Sequence, residues 1–96
     1  MSKKKVLITG KLPKVPNEQS KHAFYELSKK LGKEVTTLYP TVFAEPTATW
    51  DESIRSDISK LMTCSDLHLL HNWQGHKRSE ILRNIALSIG IKCHYH

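Results

Sequence analysis

The run TWDESIRSDISKLMTCSDLHLLHNW, Thr49 to Trp73, restricts the fold more than any other part of the chain. Its hydrophobic period changes within a few residues. Ile54, Ile58, Leu61 and Met62 recur at helical spacing, whereas Asp66-Leu67-His68-Leu69-Leu70-His71 reads as a short buried strand. Thr49-Trp50-Asp51-Glu52 fits a capping box, in which the threonine hydroxyl and the glutamate carboxylate satisfy each other's free backbone donors. A capped helix that turns into a buried strand and then into the polar loop Asn72 to Lys77 is the repeating unit of an α/β sheet.

The flanking sequence continues the alternation. Val6-Leu7-Ile8-Thr9-Gly10 is a short apolar run ending in glycine, as a buried parallel strand would be. Lys11 to Pro16 carries two prolines and is irregular, and Asn17 then caps a helix with Ala23, Phe24, Leu27 and Leu31 on one side, closed by Gly32. Glu34 to Tyr39 has β-branched strand character and stops at Pro40, after which a loop runs to Thr49. Ile81, Leu82, Ile85, Ala86 and Ile89 mark a third helix, stopped by Gly90 before a last strand around Ile91 to Tyr95.

Short right-handed crossovers between such elements produce a single-domain three-layer α/β sandwich of the flavodoxin/Rossmann-like kind. Its four-stranded parallel sheet is expected in the order 2-1-3-4, with three helices shared between the two faces. In such a sheet ligands bind beyond the carboxyl ends of the strands, near the switch between strands one and three. Gly10, Lys11, Pro40, His71, Asn72 and Trp73 are therefore expected around one cleft.

Ninety-six residues allow one modest core and exclude two. Fifteen Lys and Arg against nine Asp and Glu favour an anionic partner. However, Lys3, Lys4 and Lys5 form a leader, and Lys29, Lys30 and Lys33 surround a helix end, so the excess reads as solvated charge rather than a nucleic-acid surface. Cys64 and Cys93 form no CxxC pair and are expected as reduced, mostly buried thiols. No segment approaches the ~20 apolar residues needed to span a bilayer, which places the chain as a cytoplasmic protein with no membrane partner.

With its elements in this order, the chain resembles the small nucleoside 2-deoxyribosyltransferase-like family of phage and bacterial proteins. The resemblance covers nearly the whole chain. It is carried by Val6 to Gly10, by Val15-Pro16-Asn17 with Phe24, Leu31-Gly32 and Val35, and above all by Trp50-Asp51, Arg55, Asp57-Ile58, Leu61, Cys64, Asp66, Leu69-Leu70 and Trp73. The resemblance implies a site in which a glutamate attacks the anomeric carbon of a deoxyribosyl group and holds it covalently, as in retaining glycosidases. In the family that glutamate follows a loop of the form S-x-G-A-x-x-E at the start of the third helix.

Here the ungapped counterpart is His76-Lys77-Arg78-Ser79-Glu80-Ile81-Leu82. His76 stands at the family's serine, Arg78 at its glycine, Ser79 at its alanine and Leu82 at its nucleophile. Glu80 is the nearest carboxylate, but residues two apart on a helix face different directions. Lys11 also replaces a proline that often follows the first strand's glycine. Asp57 corresponds to an acidic sugar-contacting residue of the transferases, or else is an exposed helix carboxylate near Arg55 and Lys60.

Six histidines raise the question of a metal, but none of their spacings presents ligands together, so neither a metal nor a cofactor is expected. His68 faces away from Leu67 and Leu69, and His94 and His96 lie at or beyond the last strand, where a chain frays. His71 and His76 border the expected cleft, as acid, base or anion ligand or as solvated loop residues. Trp73 either stacks on a base or caps the core. Lys11, His76, Lys77 and Arg78 would make the cleft rim basic and suited to a phosphate.

The leading expectation is a nucleotide- or nucleoside-binding domain of transferase-like fold without the catalytic glutamate. The alternative is an active deoxyribosyltransferase or nucleotide N-glycosidase that uses Glu80, with Asp57 positioning the sugar. A small phage-type inhibitor or adaptor that turns the basic rim towards a host protein is a further alternative. Transferases of this fold often complete their sites across subunits, which makes a homo-oligomer a candidate assembly.

Overall fold

The computed structural model describes residues 3–13 and 16–96. Val15, one of the residues carrying the family resemblance, lies outside the described residues. The elements follow in the order β1 (Lys4–Thr9), α1 (Glu18–Leu31), β2 (Val35–Leu38), α2 (Trp50–Met62), β3 (Asp66–Leu69), α3 (Lys77–Ile89) and β4 (Lys92–Tyr95). All strand pairs are parallel, and the sheet order is β2-β1-β3-β4, as expected from the alternation.

The two central strands are flanked by apolar side chains on both faces, which is why they are nearly continuous hydrophobic runs. On one face Leu7, Leu67 and Leu69 pack with Leu61 of α2 and with Leu82 and Ala86 of α3. On the other, Ile8 and Leu70 pack with Phe24 and Leu27 of α1 and with Val42. The result is three layers.

Local chemistry sets the helix ends. The Asn17 side chain accepts from the Ser20 amide and the Ser20 hydroxyl accepts from the Asn17 amide. Thr49 and Glu52 form the expected capping box at α2. Gly90 ends α3 in the left-handed region at φ 82°, where a side chain would be strained.

Several boundaries differ from expectation. Strand two is confined to Val35–Leu38 and strand three to Asp66–Leu69, and the loop after Pro40 contains a 3-10 turn at Thr41–Phe43. Met62 and Ile89, expected on buried helix faces, are each 52% exposed. Leu61 and Ala86, close to them in the last turns, are 0% exposed, so Met62 and Ile89 lie at the margin of each helix's buried face. No helix among the described residues is long and apolar enough to cross a membrane.

The last strand is not frayed at its histidines. His94 Nε2 lies 2.6 Å from Asp66 Oδ2, and His96 Nε2 lies 2.8 Å from His68 Nδ1. The His68 ring stacks on His94, with centroids 4.5 Å apart. Parallel pairing of β3 with β4 sets His68 beside His94, which is what stacks the rings.

Burial pushes the His68 imidazole down to about 4 from 6.5; His94 and His96 push the same way and Asp66 opposes them. The unfolded chain therefore binds more protons than the folded one between about pH 6.5 and 4. Stability held above that window is lost as the pH falls through it. Thermal melts between pH 7 and 4 should show a falling Tm, and His68→Leu should flatten the fall; an unchanged slope in the variant would assign it to another group.

Candidate functional site

The crevice lies where the sequence places it, at the carboxyl edge of the sheet, but the segment after β1 divides it. Leu12 and Pro13 line cavities on both sides. On the α1 side a cavity of about 410 Å³ is bordered by Lys11, Asn17, Phe24, Leu70 and Asn72 among others. On the α2–α3 side a cavity of about 240 Å³ is bordered by Val42, Trp50, Ser53, His76 and Arg78. A third hollow, beside the start of α3, is bordered by Lys11, Gln74, Gly75 and His76.

Gly10 is buried, and a Cβ there would meet Leu70 Cβ and Cδ1 at 2.8 Å and Asn72 Oδ1 at 3.1 Å. Its role in the geometry is close approach between the ends of β1 and β3. The Lys11 amide donates to Asn72 Oδ1 at 3.1 Å, which ties the two loops across the switch point. Gly10→Ala should cost about 1–3 kcal/mol by overpacking, measurable as a shift in urea midpoint.

The centre of the α2–α3 side is Asp57. Its residue exposure is 1%, so the reading as a surface carboxylate near Arg55 and Lys60 is overturned. Ser53 and Asp57 lie one helical turn apart on the inward side of α2 and face the chain after β2. Oδ1 accepts from the Thr41 amide at 2.8 Å and from the Thr41 hydroxyl at 2.6 Å. Oδ2 lies 3.3 Å from Arg78 Nε, angled so that this contact is an ion pair without a hydrogen bond.

Arg78 is likewise displaced from its expected position on an exposed rim. It is 7% exposed, its Nη2 donates to Ser53 Oγ at 2.9 Å, and its guanidinium carbon lies 5.3 Å from the centre of the Trp50 ring. Lys77 Nζ is 5.5 Å from the same ring. A buried charge is tolerated only with partners: Asp57 finds them on the 3-10 turn and on α3, and Arg78 finds Asp57, Ser53 and Trp50 along α2.

The first turn of α3 is located by a second buried contact, Thr9 Oγ1 to Ser79 Oγ at 2.9 Å. That orientation turns Arg78, Ser79, Leu82 and Ala86 inward. Leu82 is 1% exposed within the leucine cluster. Glu80 lies about 200° further round the helix from Leu82; it is exposed, and its Oε2 accepts from the Gly75 amide at 3.2 Å.

His76 caps α3 without a side-chain hydrogen bond, and its buried Nε2 has no partner among the described residues. Burial lowers its pKa, and Arg78 and Lys11 add to the lowering against Glu80, so the ring is held towards the neutral form. His71 is exposed and borders none of these cavities. Trp73 packs against the core beside Tyr95, with centroids 5.7 Å apart, and Arg83 lies 5.2 Å from its ring. Trp50, read from sequence as part of a capping box and of a family block, borders the α2–α3 cavity.

The residues expected to form one cleft are thus spread over several hollows: Lys11 and Asn72 border the α1-side cavity, His76 and Arg78 the α2–α3 one, Lys11 and His76 the third, and His71 and Trp73 none of these. A family model described as a domain of unknown function, DUF4406, matches residues 4–95. The chain belongs to that family. No curated protein matches it. Among solved structures it is similar to a 2-desoxiribosyltransferase from Leishmania mexicana, with a TM-score of 0.71 and 18% sequence identity. That similarity covers 96% of this chain and 63% of the other, so this chain spans somewhat under two thirds of the transferase's length. The DUF4406 chain therefore has a deoxyribosyltransferase-like fold.

Removing one member of the buried pair should leave the other uncompensated. Asp57→Leu should cost about 3–5 kcal/mol in chemical denaturation, and adding Arg78→Met should recover part of that loss by removing the stranded charge. A double variant no more stable than Asp57→Leu would assign the loss to packing and to the Thr41 bonds instead.

Proposed function

We propose that the chain is a nucleotide- or nucleoside-binding domain of deoxyribosyltransferase-like fold that lacks the nucleophile of the transferases. The observation that carries this reading is Leu82. By the ungapped sequence correspondence it stands where the deoxyribosyltransferase-like proteins carry their glutamate, and it is enclosed by the core at 1% exposure. A covalent mechanism needs an ionised carboxylate at the anomeric carbon. Glu80 is held outward at the Gly75 amide, and Asp57 has its oxygens engaged by Thr41 and Arg78.

The binding half of the proposal rests on the divided crevice at the switch point of a parallel sheet, the usual ligand position in this architecture. The larger cavity joins the apolar Leu12, Phe24 and Leu70 to the polar Lys11, Asn17 and Asn72, a mixture suited to a base with polar substituents. A homo-oligomer belongs to the same proposal, because transferases of the resembled kind often complete their sites across subunits and a second copy would close the open crevice.

The protein incubated with the four deoxynucleosides and their 5′-monophosphates should release no free base by chromatography. In the same series, amide NMR should show saturable shifts at Lys11 and Asn72. Base release abolished by Glu80→Gln would overturn the loss of chemistry in favour of an active N-glycosidase or transferase. No saturable shift at either residue with any of these ligands would overturn the binding reading.

A further inference from the structure

The α2–α3 cavity has a property that the family resemblance does not supply. Its bordering residues include an arginine, a histidine, a serine and a tryptophan but no acidic side chain. The carboxylate paired with the guanidinium, Asp57, is 1% exposed behind it. We propose that Arg78 is the specificity-determining residue of this cavity: by taking up the Asp57 carboxylate it closes the site to a sugar hydroxyl and opens it to a small oxyanion. Asp57 is then a positioning residue that acts through Arg78. The inference rests on the binding reading above and specifies the ligand chemistry of one of its two cavities.

A carboxylate reads a sugar by accepting hydroxyl protons, and both Asp57 oxygens are occupied by groups of the protein itself. A guanidinium has five N–H donors and no acceptor. Ser53 takes a bond from Nη2 and Asp57 lies against Nε, which leaves donors of a planar, fixed group for a ligand. Trp50 supports the guanidinium on its ring, and Lys77 adds a second cation over the same ring.

His76 borders the same cavity with an Nε2 that lacks a partner, a polar atom without an assigned role among the described residues. The absence of a side-chain cap on α3 leaves its opening amides without a competing acceptor from His76. The cavity of about 240 Å³ falls below the ~300–1,000 Å³ typical of drug-sized ligand sites. It therefore suits the charged group of a ligand rather than a whole nucleoside.

Amide and arginine side-chain NMR with inorganic phosphate, acetate and thymidine as separate probes tests this. Phosphate or acetate should shift Arg78 Nε–H and the Lys77 to Ser79 amides saturably, and uncharged thymidine should leave them unmoved. Arg78→Met should weaken oxyanion binding by at least about tenfold, the equivalent of one charge-assisted hydrogen bond, and Arg78→Lys should restore part of it. Ser53→Ala should move the Arg78 Nε–H resonance and weaken binding while the fold is retained. Asp57→Asn should do the same where it folds, and Asp57→Glu should move both back towards the wild-type values.

Undiminished phosphate and acetate affinity in Arg78→Met, or thymidine shifts at Ser53 and Arg78 in the wild type, would overturn the inference. Nucleotides that shift only Lys11 and Asn72 would also overturn it and leave the nucleotide-binding reading standing. Oxyanion binding at Arg78 with no saturable shift from any nucleoside or nucleotide at Lys11 and Asn72 would do the reverse.

Discussion

The buried carboxylate of Asp57 holds together the α2–α3 side of the crevice. It joins the 3-10 turn after β2, the middle of α2 and the first turn of α3 through Thr41 and Arg78. A charge at 1% exposure is stable only because a backbone amide, a hydroxyl and a guanidinium converge on it. Ser53, one turn earlier on α2, takes the arginine's free end, and Thr9 holds Ser79 from the sheet side. The direction of α3 follows from these contacts, and with it the inward position of Leu82 and the outward position of Glu80.

The same contacts shape the crevice. An arginine that would reach solvent if α3 were rotated is instead folded back over Trp50, so the α2–α3 cavity has a cationic and aromatic wall. Across Leu12 and Pro13, the α1-side cavity has a different lining, largely apolar with amide and hydroxyl groups. A deoxyribosyltransferase-like scaffold thus carries two dissimilar compartments at its switch point. At the β3–β4 side of the sheet the same principle holds for His68, the buried ring of the stack, whose Nδ1 is paired with His96 Nε2, while half-exposed His94 pairs with Asp66.

Much of the architecture was legible because its determinants are local. The capping residues Asn17, Thr49 and Glu52 and the glycine stop at Gly90 act within one helical turn, and strand–helix alternation with short connections leaves few sheet orders open. Element lengths were less legible. Met62 and Ile89 continue the apolar spacing of their helices but are half-exposed beside fully buried Leu61 and Ala86, so periodicity alone did not mark the edge of the buried face.

The crevice was legible in position, and the burial of the charges around it was misread. Asp57 and Arg78 look like surface charges because ionic side chains are rarely buried unless paired, and a pair between α2 and α3 leaves no mark in local spacing. Trp73 and Trp50 could not be ranked as cavity residues for the same reason. One packs beside Tyr95 and the other under Arg78, and both partners come from other elements. The sequence by itself determined the order of elements, their caps and the parallel sheet, because backbone periodicity and end-capping are short-range. Only the tertiary structure decided which charges are buried, which tryptophan faces a cavity and where the start of α3 points, because each depends on partners distant in the chain.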